Sequence, residues 1–152
     1  MRSRDLLPAL VAGISLLALA PRIGSASEAH VASQHPRHRV ILELTAADPA
    51  SWEGVLNNLE NARKALGPEQ TSLELVVHGP GIGMLTRTNQ AGQERMAALA
   101  AQGIVFAACR NTMKRKSLSE SDLHPFATVV PAGVAEVVLK QEEGWSYLKA
   151  GH

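Results

Sequence analysis

Short runs of branched apolar residues alternate along the chain with stretches whose apolar positions recur every three or four residues. The first are strand patterns and the second amphipathic helix patterns. "RVILELT", residues 39–45, predicts a first strand. Asp48 then offers an N-cap with Pro49 at the first helical position, and Trp52, Val55, Leu56, Leu59, Ala62 and Leu66 mark the buried face of a helix stopped by Gly67-Pro68. "SLELVVHG", residues 72–79, predicts a second strand. Its Leu73, Leu75 and Val77 point one way, while Val76 breaks simple alternation, as expected when both faces are covered. A tight glycine turn, "GPGIG" at 79–83, precedes the helix pattern "QERMAALAAQG", which Gly103 ends. "IVFAAC", residues 104–109, is apolar on both faces and predicts an interior strand of a parallel sheet. A short helix over "NTMKRKSL", a surface loop containing Glu120, Asp122 and His124-Pro125, and a fourth strand in "FATVVPAG", residues 126–133, follow. "GVAEVVLKQEEGWSYLKAG" closes the chain as an amphipathic helix loosened at Gly144.

Strands and helices alternating at this spacing predict an α/β sandwich with a mostly parallel sheet and right-handed crossovers. In such a sheet every strand delivers its C-terminal end to one edge, where ligands usually sit. Thr45, His78, Cys109 and Pro131 all fall at strand ends and are expected to gather there.

The first quarter of the chain has another pattern. Arg2 and Arg4 precede an apolar block at residues 6–20, and small residues gather at 24–29, the three parts of a secretory signal peptide. The block is shorter than the roughly 20 residues of a membrane-spanning helix, so residues 1–27 are expected to be cleaved, leaving a periplasmic or secreted protein without a membrane anchor. Residues 28–38, "EAHVASQHPRH", then form a flexible leader, and 39–152 one compact domain. Cleavage removes three cations and one anion, leaving twelve against thirteen. A near-neutral surface with only 3% aromatic residues supplies neither the basic patch nor the stacking rings that nucleic acids need.

The lone cysteine lies where chemistry is expected. Cys109 ends a strand just before a helix begins, facing unpaired N–H groups, and Arg110, Lys114, Arg115 and Lys116 follow it closely. Amides and cations favour thiolate over thiol. A free cysteine is also a common core filler, so both readings stand on the residues alone. His78 is a candidate proton partner if the second and third strands are neighbours. Asn111 and Thr112 are candidates to bind a sulfur anion or to cap the helix. Gly81 and Gly83 of the glycine loop are candidates to expose amides to an anion, although the loop lacks the Lys-Ser/Thr of a nucleotide-binding P-loop. Met84, Met96 and Met113 read as core. No CxxC or HExxH pattern is present, and neither metal nor cofactor is expected; a soft-metal carrier using Cys109, His78 and Met84 or Met113 is a weaker alternative.

"C-x-N-T" at Cys109, Asn111 and Thr112, "VP-x-GVAE" after the fourth strand and the final "EEGW-x-Y" block resemble the DsrE/DsrF-like (YchN-like) family, specifically its exported single-domain members. The resemblance runs from about Arg39 to the end. It implies a three-layer α/β/α fold assembled into trimers or hexamers. It also implies that Cys109 accepts sulfur as a persulfide and exchanges it with donor and acceptor proteins. The competing function is a non-catalytic oligomeric module that binds a small ligand or anion and keeps Cys109 as packing.

Overall fold

The computed structural model describes residues 38–150, so the expected signal peptide and all of the expected leader but His38 lie outside the described residues. Five parallel strands form one sheet: β1 (His38–Leu44), β2 (Thr71–Val77), β3 (Val105–Cys109), β4 (Ala127–Val130) and β5 (Ser146–Ala150), in the order β4-β3-β2-β1-β5. Helices α1 (Pro49–Leu66), α2 (Gln93–Ala101), α3 (Arg110–Arg115) and α4 (Gly133–Glu142) connect them. None of the described helices is long and apolar enough to cross a membrane.

The chain steps from β1 to β4 in one direction, so three consecutive crossovers of one hand stack their helices on one face. Val55, Leu56 and Leu59 of α1, Met96 and Leu99 of α2 and Met113 of α3 pack there in one core with Leu42, Leu44, Leu75, Val77 and Phe106. The three methionines expected in the core are all in it. The fourth crossover returns across the sheet from β4 to β5 and therefore lays α4 on the opposite face. There Val137 meets Ile41, Val76 and Ala107 in a second, smaller core. The result is a three-layer α/β/α sandwich with unequal layers.

The helix boundaries follow local rules. Asp48 Oδ1 accepts from Ser51 N at 2.8 Å, Pro49 opens α1, and Gly67 at φ +93° ends it. The residues after Gly144 depart from the amphipathic helix expected there. Gly144 takes φ +86° and reverses the chain, and Ser146–Ala150 becomes β5, paired with Val40–Leu44 along the open side of β1. An unpaired β1 would leave its ladder amides and carbonyls without partners, and this pairing outweighs the helical pattern. A second departure is the loop before β4. His124 is only 2% exposed, stacked on Phe126 with ring centroids 5.1 Å apart and its Nε2 3.0 Å from the Asn89 carbonyl. It is a core residue and not part of a surface loop.

Candidate functional site

β2 and β3 are neighbours, with Val77 opposite Ala108. One further step along both strands sets His78 beside Cys109 at the expected edge. Period-two alternation puts both side chains on the α4 face, with Val76 and Ala107. The N-terminus of α4 lies directly over them: a Cβ on Gly133 would stand 3.2 Å from His78 Cβ, His78 Cδ2 and Val76 Cγ1. Glycine at 133 therefore lets the α4 backbone descend onto the site.

Cys109 is 5% exposed and is the N-cap residue of α3, its Sγ making no capping hydrogen bond of its own. Burial pushes its thiol up, but the N–H of Gly133, the Thr112 hydroxyl and the N–H groups of Thr112 and Asn111 outweigh it, leaving the thiol more acidic than usual. Sγ thus lies near the first amides of two helices, close enough to be acidified by them although it forms no regular capping hydrogen bond. Thr112 is buried, and its Oγ1 accepts from Gly79 N at 3.0 Å and from Arg115 Nη2 at 3.3 Å. Its own O–H remains free to donate to sulfur. Amides and one hydroxyl, more than the expected cations, are what acidify the thiol: Arg110 is turned away, paired with Glu120 at 2.8 Å.

Asn111 is exposed and contributes its backbone. In the glycine loop two amides are already engaged within the fold. Gly79 N serves Thr112, and Gly81 N donates to the Thr45 carbonyl at 2.9 Å. A Cβ on Gly81 would lie 3.0 Å from the Leu44 carbonyl oxygen, and one on Gly83 3.6 Å from Trp52. Both are packing positions that fasten the loop to β1 and α1.

The structure brings two residues to the site to which the sequence alone assigns no role there. Glu43 of β1 and Tyr147 of β5 point to the α4 face, and Glu43 Oε1 lies 2.7 Å from His78 Nε2 while Tyr147 donates to Oε2 at 2.5 Å. Burial raises the Glu43 carboxyl, but the bonds from Tyr147 and His78 and the charges of His78 and Lys149 bring it below its ordinary value. The same bond pushes Tyr147 up to about 12. A signal was available in the sequence: Glu43 is a lone charge inside the apolar run "VILEL". Among the described residues no three His, Cys, Asp or Glu side chains are grouped to hold a metal ion. Met84 and Met113 lie in the core on the other face, so they are not available to join Cys109 and His78 as soft ligands.

The site thus rests on a five-stranded parallel sheet with a cysteine at the end of β3. The family model described as DsrE/DsrF-like matches residues 40–150. The chain belongs to the DsrE/DsrF-like family. Among solved structures it is similar to MTH1491 from Methanobacterium thermoautotrophicum, a protein of unknown function. They share 28% identity at a TM-score of 0.70, over 74% of this chain and 98% of that one. YchN from E. coli shares the fold at 17% identity and TM-score 0.59, over 74% of this chain and 98% of its own. BT1422 from Bacteroides thetaiotaomicron, also of unknown function, does so at 12% and 0.58, over 73% and 93%. No curated protein matches the chain.

Proposed function

We propose that this DsrE/DsrF-like protein is a sulfur carrier that works through a persulfide on Cys109. What supports the reading is the position of Cys109 at the strand end that meets α3 and α4, where the amides of Asn111, Thr112 and Gly133 and the Thr112 hydroxyl favour the nucleophilic thiolate. The thiolate attacks the outer sulfur of a donor persulfide, R–S–SH. The donor S–S bond breaks, R–S⁻ leaves, and the proton stays on the transferred sulfur as Cys109–S–SH. The exchange conserves electrons and needs no oxidant. The same donors can stabilise the Cys109 sulfur when it again becomes a leaving thiolate.

The proposal extends to setting and assembly: export with removal of residues 1–27, and a homotrimer or hexamer that meets donor and acceptor proteins at the C-terminal edge of the sheet. Mass spectrometry of native protein after incubation with glutathione persulfide tests the chemistry. Wild type is expected to gain one sulfur and Cys109→Ser none, and the same spectra report whether residues 1–27 have gone from protein recovered after export. A folded wild type that gains nothing, with a thiol that resists alkylation until unfolding, would leave the binding module with a structural cysteine.

A further inference from the structure

The geometry points to a division of labour at this site, in which Glu43 and Tyr147 position His78 to take the proton from an incoming acceptor thiol. The inference rests on the persulfide reading of Cys109 and names the second substrate: a thiol that arrives protonated.

Four side chains from four adjacent strands stand in a row on the α4 face: Tyr147 of β5, Glu43 of β1, His78 of β2 and Cys109 of β3. Three of them are joined, Tyr147 Oη to Glu43 Oε2 at 2.5 Å and Glu43 Oε1 to His78 Nε2 at 2.7 Å. Glu43 is held in its ionised form, so both of its oxygens can only accept. Nε2 must then carry the hydrogen in that bond, and in the neutral ring Nδ1 keeps a lone pair. His78 makes no hydrogen bond to Cys109, whose thiolate is already served by amides and the Thr112 hydroxyl. The imidazole is therefore available for a different proton. Its side chain is 16% exposed and that of Glu43 19%, so the pair reaches solvent at the strand end beside Cys109, on the side from which an acceptor would approach.

Unloading then balances as follows. The acceptor R–SH gives its proton to His78 Nδ1, and R–S⁻ attacks the outer sulfur of Cys109–S–SH. An S–S bond forms in R–S–SH, the old one breaks, and Cys109–S⁻ leaves beside the amides that stabilised it before loading. Glu43 stabilises the imidazolium while it exists and prevents the ring from turning. Glu43 and Tyr147 are positioning residues, and His78 is the group that touches the substrate.

The test is the pH profile of sulfur transfer from persulfidated full-length protein to glutathione, with rates expressed per acceptor thiolate. Around His78 the titratable groups are Glu43 on β1, Tyr147 and Lys149 on β5 and Cys109 on β3, while on α4 Gly133 covers the ring and Glu136 is engaged with Lys140. Tyr147, at about 12, keeps its proton throughout the range to pH 10. Wild type is expected to exceed Glu43→Gln at least about tenfold at pH 7, a fraction of what a positioned base usually contributes. The two should converge near pH 10, where the acceptor is already ionised. Should Glu43→Gln fail to fold, Tyr147→Phe carries the same expectation with a smaller gap. Equal rates at every pH, or a loss of the same size at pH 7 and pH 10, would overturn the inference and leave the carrier intact. Absence of any sulfur on Cys109 would remove the carrier reading and this inference with it.

Discussion

Cys109 is defined by its neighbours more than by its own chemistry. A strand-end cysteine before a helix is legible in the sequence, and so is the reason its thiolate should be favoured. The Gly133 amide is not, because it comes from 24 residues further on and reaches Sγ only through the placement of α4. Thr112 is the side chain to test. Thr112→Val removes the hydroxyl and leaves the amides, so the midpoint of the pH dependence of iodoacetamide labelling is expected to rise toward that of an ordinary thiol. An unchanged midpoint would assign the acidity to the helix amides alone. Linkage has the matching sign: a thiol more acidic when folded contributes stability above its unfolded pKa, lost as pH falls through the folded value. Glu43 shows the limit of reading by type. It is one charge in an apolar strand, and only the order of β5, β1 and β2 reveals that two side chains meet it.

At the scale of elements, the strand patterns, the α1 cap and the breaks at Gly67 and Gly103 were all readable, since each depends on residues a few positions apart. The end of the chain was not, because helix and strand patterns overlap over "EEGWSYLKAG" and an open β1 edge decides between them. Where α4 crosses the sheet it buries an acidic group. Glu74 of β2 is 4% exposed, and Lys140 Nζ stands 3.7 Å from Glu74, Glu136 and Glu143 alike, 4.9 Å above the Trp145 ring. Burial, then Glu136 and Glu143, raise the Glu74 carboxyl against the pull of Lys140. A carboxyl raised in the folded state binds its proton more tightly there, so stability falls as pH climbs through the unfolded value toward the folded one. Glu74→Gln is therefore expected to stabilise the protein at pH 7 and to lose that advantage near pH 4, in urea titrations at both. Lys140→Met should act oppositely, costing ~2 kcal/mol at pH 7, less than a fully buried broken pair because the lysine keeps some water.

Among the described residues the sandwich is asymmetric, with three α-helices on one face of five strands and only α4 on the other. Val134, Val138 and Leu139 of α4 are 60%, 52% and 53% exposed, and Val105, at the start of β3 on the same face, is also exposed. Single exposed apolar side chains are ordinary, but this group shares one helix and the thinly covered face. We propose that neighbouring copies cover it in the trimer or hexamer. Sedimentation at micromolar concentration is expected to show a multiple of three, and Val138→Glu to shift it to monomer with the fold retained. A monomeric wild type would refute the assembly. The sequence by itself determined the parallel α/β class, the family and the strand end that holds the lone cysteine, because local patterning and chain direction suffice for each. The tertiary structure alone decided strand order, and with it three outcomes: the fifth strand, the approach of α3 and α4 amides to Sγ, and the row from Tyr147 to Cys109. Those depend on which distant segments become neighbours, and no local period encodes that.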